Sequence, residues 1–146
     1  MSDWKKRFSQ KLDVVKDASR DQFDQVGEQA LSQLFDEFRD FTAAQGFAVA
    51  KPVSKPGMRI YRFGVAENCY TLLTFRLAGL EQAELHAEWI VPGWDKSQPL
   101  VERVDLACFD MGWSRRMFER VLDQFLDAYM QSLGDRNENF ADLIEA

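Results

Sequence analysis

Residues 3–45 contain no proline and a single glycine, Gly27. Trp4, Phe8, Leu12, Val15, Phe23, Val26, Ala30, Leu34, Phe38 and Phe41 recur there at steps of three or four, with a weak gap around Ser19 and Gln22. Apolar side chains at that spacing share one face of an α-helix, so the segment is predicted to be helical. A single helix of this length would run to about 63 Å at 1.5 Å per residue, longer than a domain of this size is wide. Either it breaks near residues 18–21, with Asp21 as a fresh N-cap, or its first half projects from the body. Its end is clearer: Gly46 stands where a left-handed residue closes a helix, and Phe47 is the apolar residue that folds back.

Beyond Gly46 the period changes from helical to alternating. Residues 47–53, 58–65, 69–78, 83–91 and 100–109 read as five strands, punctuated by Pro52, Pro56-Gly57 and other turn residues. Short loops between consecutive strands imply antiparallel pairing, because parallel neighbours need long crossovers. Residues 69–78 are apolar on both faces and belong at the centre. In residues 83–91, Ala83, Leu85, Ala87, Trp89 and Val91 alternate with Glu84, His86 and Glu88, which describes a strand with one face on a core and one in water. A second helical stripe follows, from Trp113 through Phe118 and Phe125 to Leu133, with Ser114 read as its N-cap and Gly134 as its stop.

The expected fold is therefore α+β: a five-stranded antiparallel meander, a long N-terminal helix that is whole or broken, and an amphipathic C-terminal helix packed on one face. Residues 1–20 form a helical arm, residues 21–134 the α+β domain, and residues 135–146 an acidic tail. With 146 residues, 46% of them hydrophobic, the chain has enough apolar surface for one core.

A net charge of −6 argues against nonspecific nucleic-acid binding as the main task. The charge is unevenly spread. Residues 1–20 carry six basic and three acidic side chains, a net +3, while residues 21–46 carry six acids against Arg39, a net −5. The last twelve residues carry four acids and one arginine, a net −3. A helix basic at one end and acidic at the other suits antiparallel pairing, so a homodimer is expected. Cys69 and Cys108 fall in apolar runs and read as buried free thiols of a cytoplasmic protein. No stretch approaches the roughly 20 apolar residues of a membrane span. The charged N-terminus lacks the apolar core of a signal peptide.

Glu84-x-His86-x-Glu88 is the arrangement nearest to a catalytic or metal site, because the three side chains share a strand face. Residues i and i+4 on a strand lie too far apart to share one ion, and the chain has no second histidine. No metal and no cofactor are expected. No nucleophile elbow or phosphate loop occurs. Arg59, Arg62, Arg76 and Arg103 interleave with Tyr61, Phe63, Tyr70 and Phe75, a pattern some RNA-binding sheets use. Cross-strand ion pairs with Glu84, Glu88 and Asp105 account for it better. The lysine-flanked stripe from Trp4 onward resembles a surface-lying membrane helix, but three acids interrupt it.

Two functional readings follow. The leading one is a non-catalytic protein-binding or adaptor domain, meeting its partner through apolar residues outside the main elements: Trp4, Phe8, Trp94 and Phe140. The alternative is a small enzyme or ligand-binding domain whose site gathers Glu84, His86, Glu88 and Arg76.

Overall fold

The computed structural model describes residues 3–93 and 98–136. Its first feature is one unbroken helical rod: α1 (Asp3–Val26), a wide π-helical turn (Gly27–Leu31), and α2 (Ser32–Ala44). Val26 and Ser32, on either side of the π turn, both keep right-handed helical angles, so the rod does not break. The break expected near residues 18–21 is absent, and Asp21 is an exposed mid-helix residue rather than a cap. The weak apolar gap there has another cause. Ser19 donates its hydroxyl proton to the Leu80 carbonyl, and Phe23 is fully buried, so this is where the rod comes onto the body.

The irregularity lies instead at Gly27, against which a buried arginine is pressed. Arg59 is 5% exposed, and a Cβ at position 27 would stand 3.0 Å from its Nε. Glycine lets the guanidinium pass. Arg59 Nη1 donates to Asp24 Oδ1 at 3.1 Å and to the carbonyls of Lys55 at 2.5 Å and Met58 at 2.9 Å, joining rod to sheet. A π turn absorbs one extra residue without ending the helix, and Ser32 Oγ donates to the Gly27 carbonyl within it at 3.1 Å. The rod ends as its sequence predicts. Gly46 has φ +97°, the Gly46 N–H donates to the Ala43 carbonyl, and the Phe47 N–H donates to the Thr42 carbonyl at 3.0 Å.

The sheet is antiparallel throughout, with strand order β1-β3-β4-β5-β6 and β2 also on β3. Its elements are β1 (Ala48–Val49), β2 (Val53–Lys55), β3 (Met58–Ala66), β4 (Cys69–Ala78), β5 (Gln82–Ile90) and β6 (Leu100–Asp105). The single strand predicted over residues 47–53 is two pieces on one partner. Ala48 pairs with Gly64 and Val53 with Ile60, a one-residue change of register across the segment that contains Pro52. Proline has no N–H for the ladder, which confines it to such an edge interruption. β4 is central, as predicted. β6 is shorter than predicted: the chain turns at Leu106–Cys108 into a 3-10 turn, where the Leu106 N–H donates to the Glu81 carbonyl at 2.8 Å. That turn buries Leu106 and Phe109 but exposes Cys108, so only Cys69 is a buried thiol.

α3 (Met111–Arg136) is capped by Asp110, whose Oδ1 accepts from the Trp113 N–H at 2.9 Å. Ser114 is buried inside the first turns and is not the cap, and Gly134 lies within the helix instead of ending it. The rod and α3 cover the same sheet face. Phe23, Leu31, Leu34 and Phe35 from the rod and Phe118 and Val121 from α3 pack on Tyr61, Phe63, Leu73, Phe75 and Leu85. Phe118 is the hub, with ring centroids 5.3 Å from Phe38, 5.5 Å from Phe75, 5.6 Å from Tyr61 and 6.2 Å from Phe63. Burial in this cluster pushes the Tyr61 phenol far above its ordinary range, so it stays neutral. Among the described residues no helix is long and apolar enough to cross a membrane.

Candidate functional site

The sheet face away from the helices carries the polar side chains singled out by sequence. Register sets them in rows. Glu84 stands opposite Arg76 on β4 and opposite Arg103 on β6. Arg76 donates through Nε at 2.8 Å and Nη2 at 2.5 Å to Glu84 Oε1, and Arg103 Nε donates to Oε2 at 2.7 Å. Glu84 is only 2% exposed although it points outward, because two arginine side chains lie across it. The hydrogen bond from Arg103, aided by that from Arg76 and opposed by desolvation, holds the carboxyl below its usual range. A carboxylate with both oxygens engaged is a structural acceptor; proton transfer at either oxygen would require displacing an arginine that is hydrogen-bonded to it.

His86 and Glu88 occupy the next two rows. His86 sits between Thr74 and Val101, and Glu88 is exposed opposite Leu72. The structure thus joins Arg76 to Glu84, adds Arg103, and leaves His86 and Glu88 fanned along an open surface. Among the described residues no three His, Cys, Asp or Glu side chains are grouped so as to hold a metal ion. Among the described residues, Arg62 pairs with no acid. Its guanidinium lies over the Tyr70 ring, 4.2 Å from the centroid, where Gly64 leaves room: a Cβ at Gly64 would meet Tyr70 Cβ at 2.8 Å.

The apolar candidates form a different surface. Trp4 and Phe8 are 60% and 51% exposed and stack on each other with centroids 5.2 Å apart. Every residue from position 3 to 18 is exposed except Leu12, which is half-buried. Trp94 and Phe140 lie outside the described residues.

One feature of the surface escaped the sequence reading. Between the end of α2 and the middle of α3 runs an open cleft of about 580 Å³, floored by Phe38, Phe41, Phe47, Leu122 and Leu126 and edged by Glu119 and Asp123. Phe41 is 64% exposed, and Leu126 and Met130 are also prominently exposed. In sequence these side chains are ordinary members of two core stripes. The signal available was the width of those stripes, since paired adjacent apolar residues in α3 extend round more of the helix than one sheet face covers. A smaller cleft of about 120 Å³ lies against the π turn beside Arg59 and Tyr61, and Glu28, Ser32 and Asp36 complete it.

No protein-family model, curated protein or solved structure matches this chain.

Proposed function

We propose that this is a non-catalytic, cytoplasmic protein-binding domain whose cleft between α2 and α3 receives an apolar helix face from another polypeptide. The observation that carries the reading is the cleft itself. An aromatic floor left open, with Phe41 64% exposed, is unfavourable in water and marks an interaction surface when it is contiguous. Its volume of about 580 Å³ suits the side chains of one or two helical turns. Polar groups that would orient a reacting substrate are scarce. The Thr42 hydroxyl is already donated to the Phe38 carbonyl at 2.7 Å, leaving Gln45 and the two rim carboxylates. The competing enzyme reading rests on Glu84, whose two oxygens are taken by arginines. Two free cysteines support the cytoplasmic placement.

A photoactivatable residue at position 126, in cells expressing the chain, tests the reading. The expected result is a cross-linked polypeptide that disappears when Phe41→Asp is added, while the variant stays folded by circular dichroism because Phe41 is a surface residue. Identical cross-links with and without Phe41→Asp would overturn it.

A further inference from the structure

We infer that the polypeptide seated in the α2–α3 cleft is the N-terminal arm of a second copy of this chain, exchanged reciprocally in a two-fold dimer. The inference rests on the protein-binding reading above and names its partner. Three observations lead to it. The first is that, among the described residues, two apolar surfaces of matching kind stand uncovered. The arm offers Trp4, Phe8 and Val15 on one helix face, all roughly half exposed or more, and the cleft offers an open aromatic floor. A helix laid in a groove presents apolar anchors along one face, and Trp4, Phe8 and Val15 stand at i, i+4 and i+11, with half-buried Leu12 one turn on from Phe8.

The second observation concerns reach. The arm and the cleft sit at opposite ends of one unbroken rod, since α1, the π turn and α2 are continuous. About 30 residues separate Leu12 from Thr42, or about 45 Å at 1.5 Å per residue. A stiff rod cannot fold its own first turns back onto its own last turns. The arm of another copy, running antiparallel, can. Each arm then meets the other copy's cleft, and the contact closes on itself as a two-fold requires.

The third is charge. The arm is basic, with Lys11 and Lys16 exposed and in no ion pair among the described residues, and residues 3–20 carry six basic side chains against three acids. Among the described residues, the charged groups lining the cleft are both acids, Glu119 and Asp123, which likewise have no ion-pair partner there. On flanking α2, Asp36 and Asp40 share Arg39, while Glu37 is paired with Arg115 of α3. Opposite charges at the two surfaces favour arm-in-cleft docking over arm-to-arm or cleft-to-cleft contact, both of which bring like charges together.

Sedimentation of the full chain at tens of micromolar tests this with three samples: Phe8→Asp, Phe41→Asp, and their equal mixture. The wild type should be dimeric, and each variant should weaken association by about thirtyfold or more, the scale of a central interface anchor. The mixture is decisive. Phe8→Asp keeps an intact cleft and Phe41→Asp an intact arm, so one good contact survives between unlike chains, and the mixture should sediment heavier than either variant alone at the same total concentration. A mixture no heavier than its components overturns the inference, as does a monomeric wild type or a variant that stays dimeric. A monomeric wild type leaves the cleft as a binding surface for another protein, which the cross-linking at position 126 decides separately. Circular dichroism of both variants, expected to match the wild type, excludes unfolding as the cause.

Discussion

In α2, apolar side chains at three- and four-residue steps land on a sheet; in the first four turns of α1, the same steps leave Trp4, Phe8 and Val15 largely exposed among the described residues. Leu34 and Phe35 are buried in the core cluster with β3 and α3, while among the described residues the one ring that Trp4 and Phe8 each meet is the other's. The two halves of the rod have the same kind of pattern and opposite environments. Helical periodicity specifies which face is apolar, but not what covers it. The cover depends on where the rod meets the body, and that is fixed by a few side chains: Ser19 on the Leu80 carbonyl, Phe23 in the core, and Asp24 holding Arg59 and the Gly57 N–H at 2.9 Å.

The contrast is most severely tested at Phe118. It touches the rings of Phe38, Tyr61, Phe63 and Phe75 and so joins α2, β3, β4 and α3 at one point. Phe118→Ala removes that hub and leaves a cavity, so the urea-unfolding free energy should fall by about 3–5 kcal/mol. A loss below about 1 kcal/mol would mean that the cluster collapses freely around the gap, and the covered half of the rod would then be far less rigidly packed than its ring geometry implies.

Much of this architecture was legible because each signal is local. The alternation of residues 83–91, the Gly46-Phe47 stop and the short hairpin loops are satisfied within a few residues, and all reappear in the structure. What was illegible depends on contacts distant in sequence. Gly27 looks like a weak helical residue until Arg59, thirty-two positions away, is seen lying on it. Asp110 takes the capping role expected of Ser114 because the chain leaves β6 early to bury Phe109, a choice made by the core rather than by capping preference. At the candidate site, the shared face of Glu84, His86 and Glu88 was readable from period two. That Arg103 would close over Glu84 required the β5–β6 register. The α2–α3 cleft was hidden more completely, since an uncovered stripe and a covered one are identical in sequence.

Glu84 extends the comparison to the sheet's open face, where burial is made by side chains lying on the surface and not by depth. Its folded-state pKa is depressed, chiefly by the Arg103 hydrogen bond, so the unfolded chain takes up the proton first as pH falls. The stability it contributes is therefore complete above the ordinary carboxyl value, about 4.3, and is lost as pH drops through the lower folded value. Wild-type unfolding free energy should decline between about pH 5 and pH 3, and Glu84→Gln should flatten part of that decline. At neutral pH the same substitution should cost about 1–2 kcal/mol, less than Phe118→Ala, because Arg76 and Arg103 are each about half exposed and can turn to water. Parallel pH profiles for the two proteins would show that the arginines do not hold the carboxylate in solution.

The smallest effect is expected where the rod is bare. Trp4→Ala and Phe8→Ala remove large side chains, yet in a single chain those side chains bury little beyond their own stacked pair. Alanine is also the better helix former, which offsets part of the lost contact. Unfolding at nanomolar concentration, where chains are separate, should therefore change by less than about 0.5 kcal/mol. At tens of micromolar the same substitutions should lower the unfolding midpoint, because a partner that binds only the folded chain stabilises it by mass action and these variants weaken that partner. The concentration dependence is the informative quantity. A loss above about 1 kcal/mol that persists at nanomolar concentration would place Trp4 and Phe8 against their own body, and the two halves of the rod would no longer differ in what covers them.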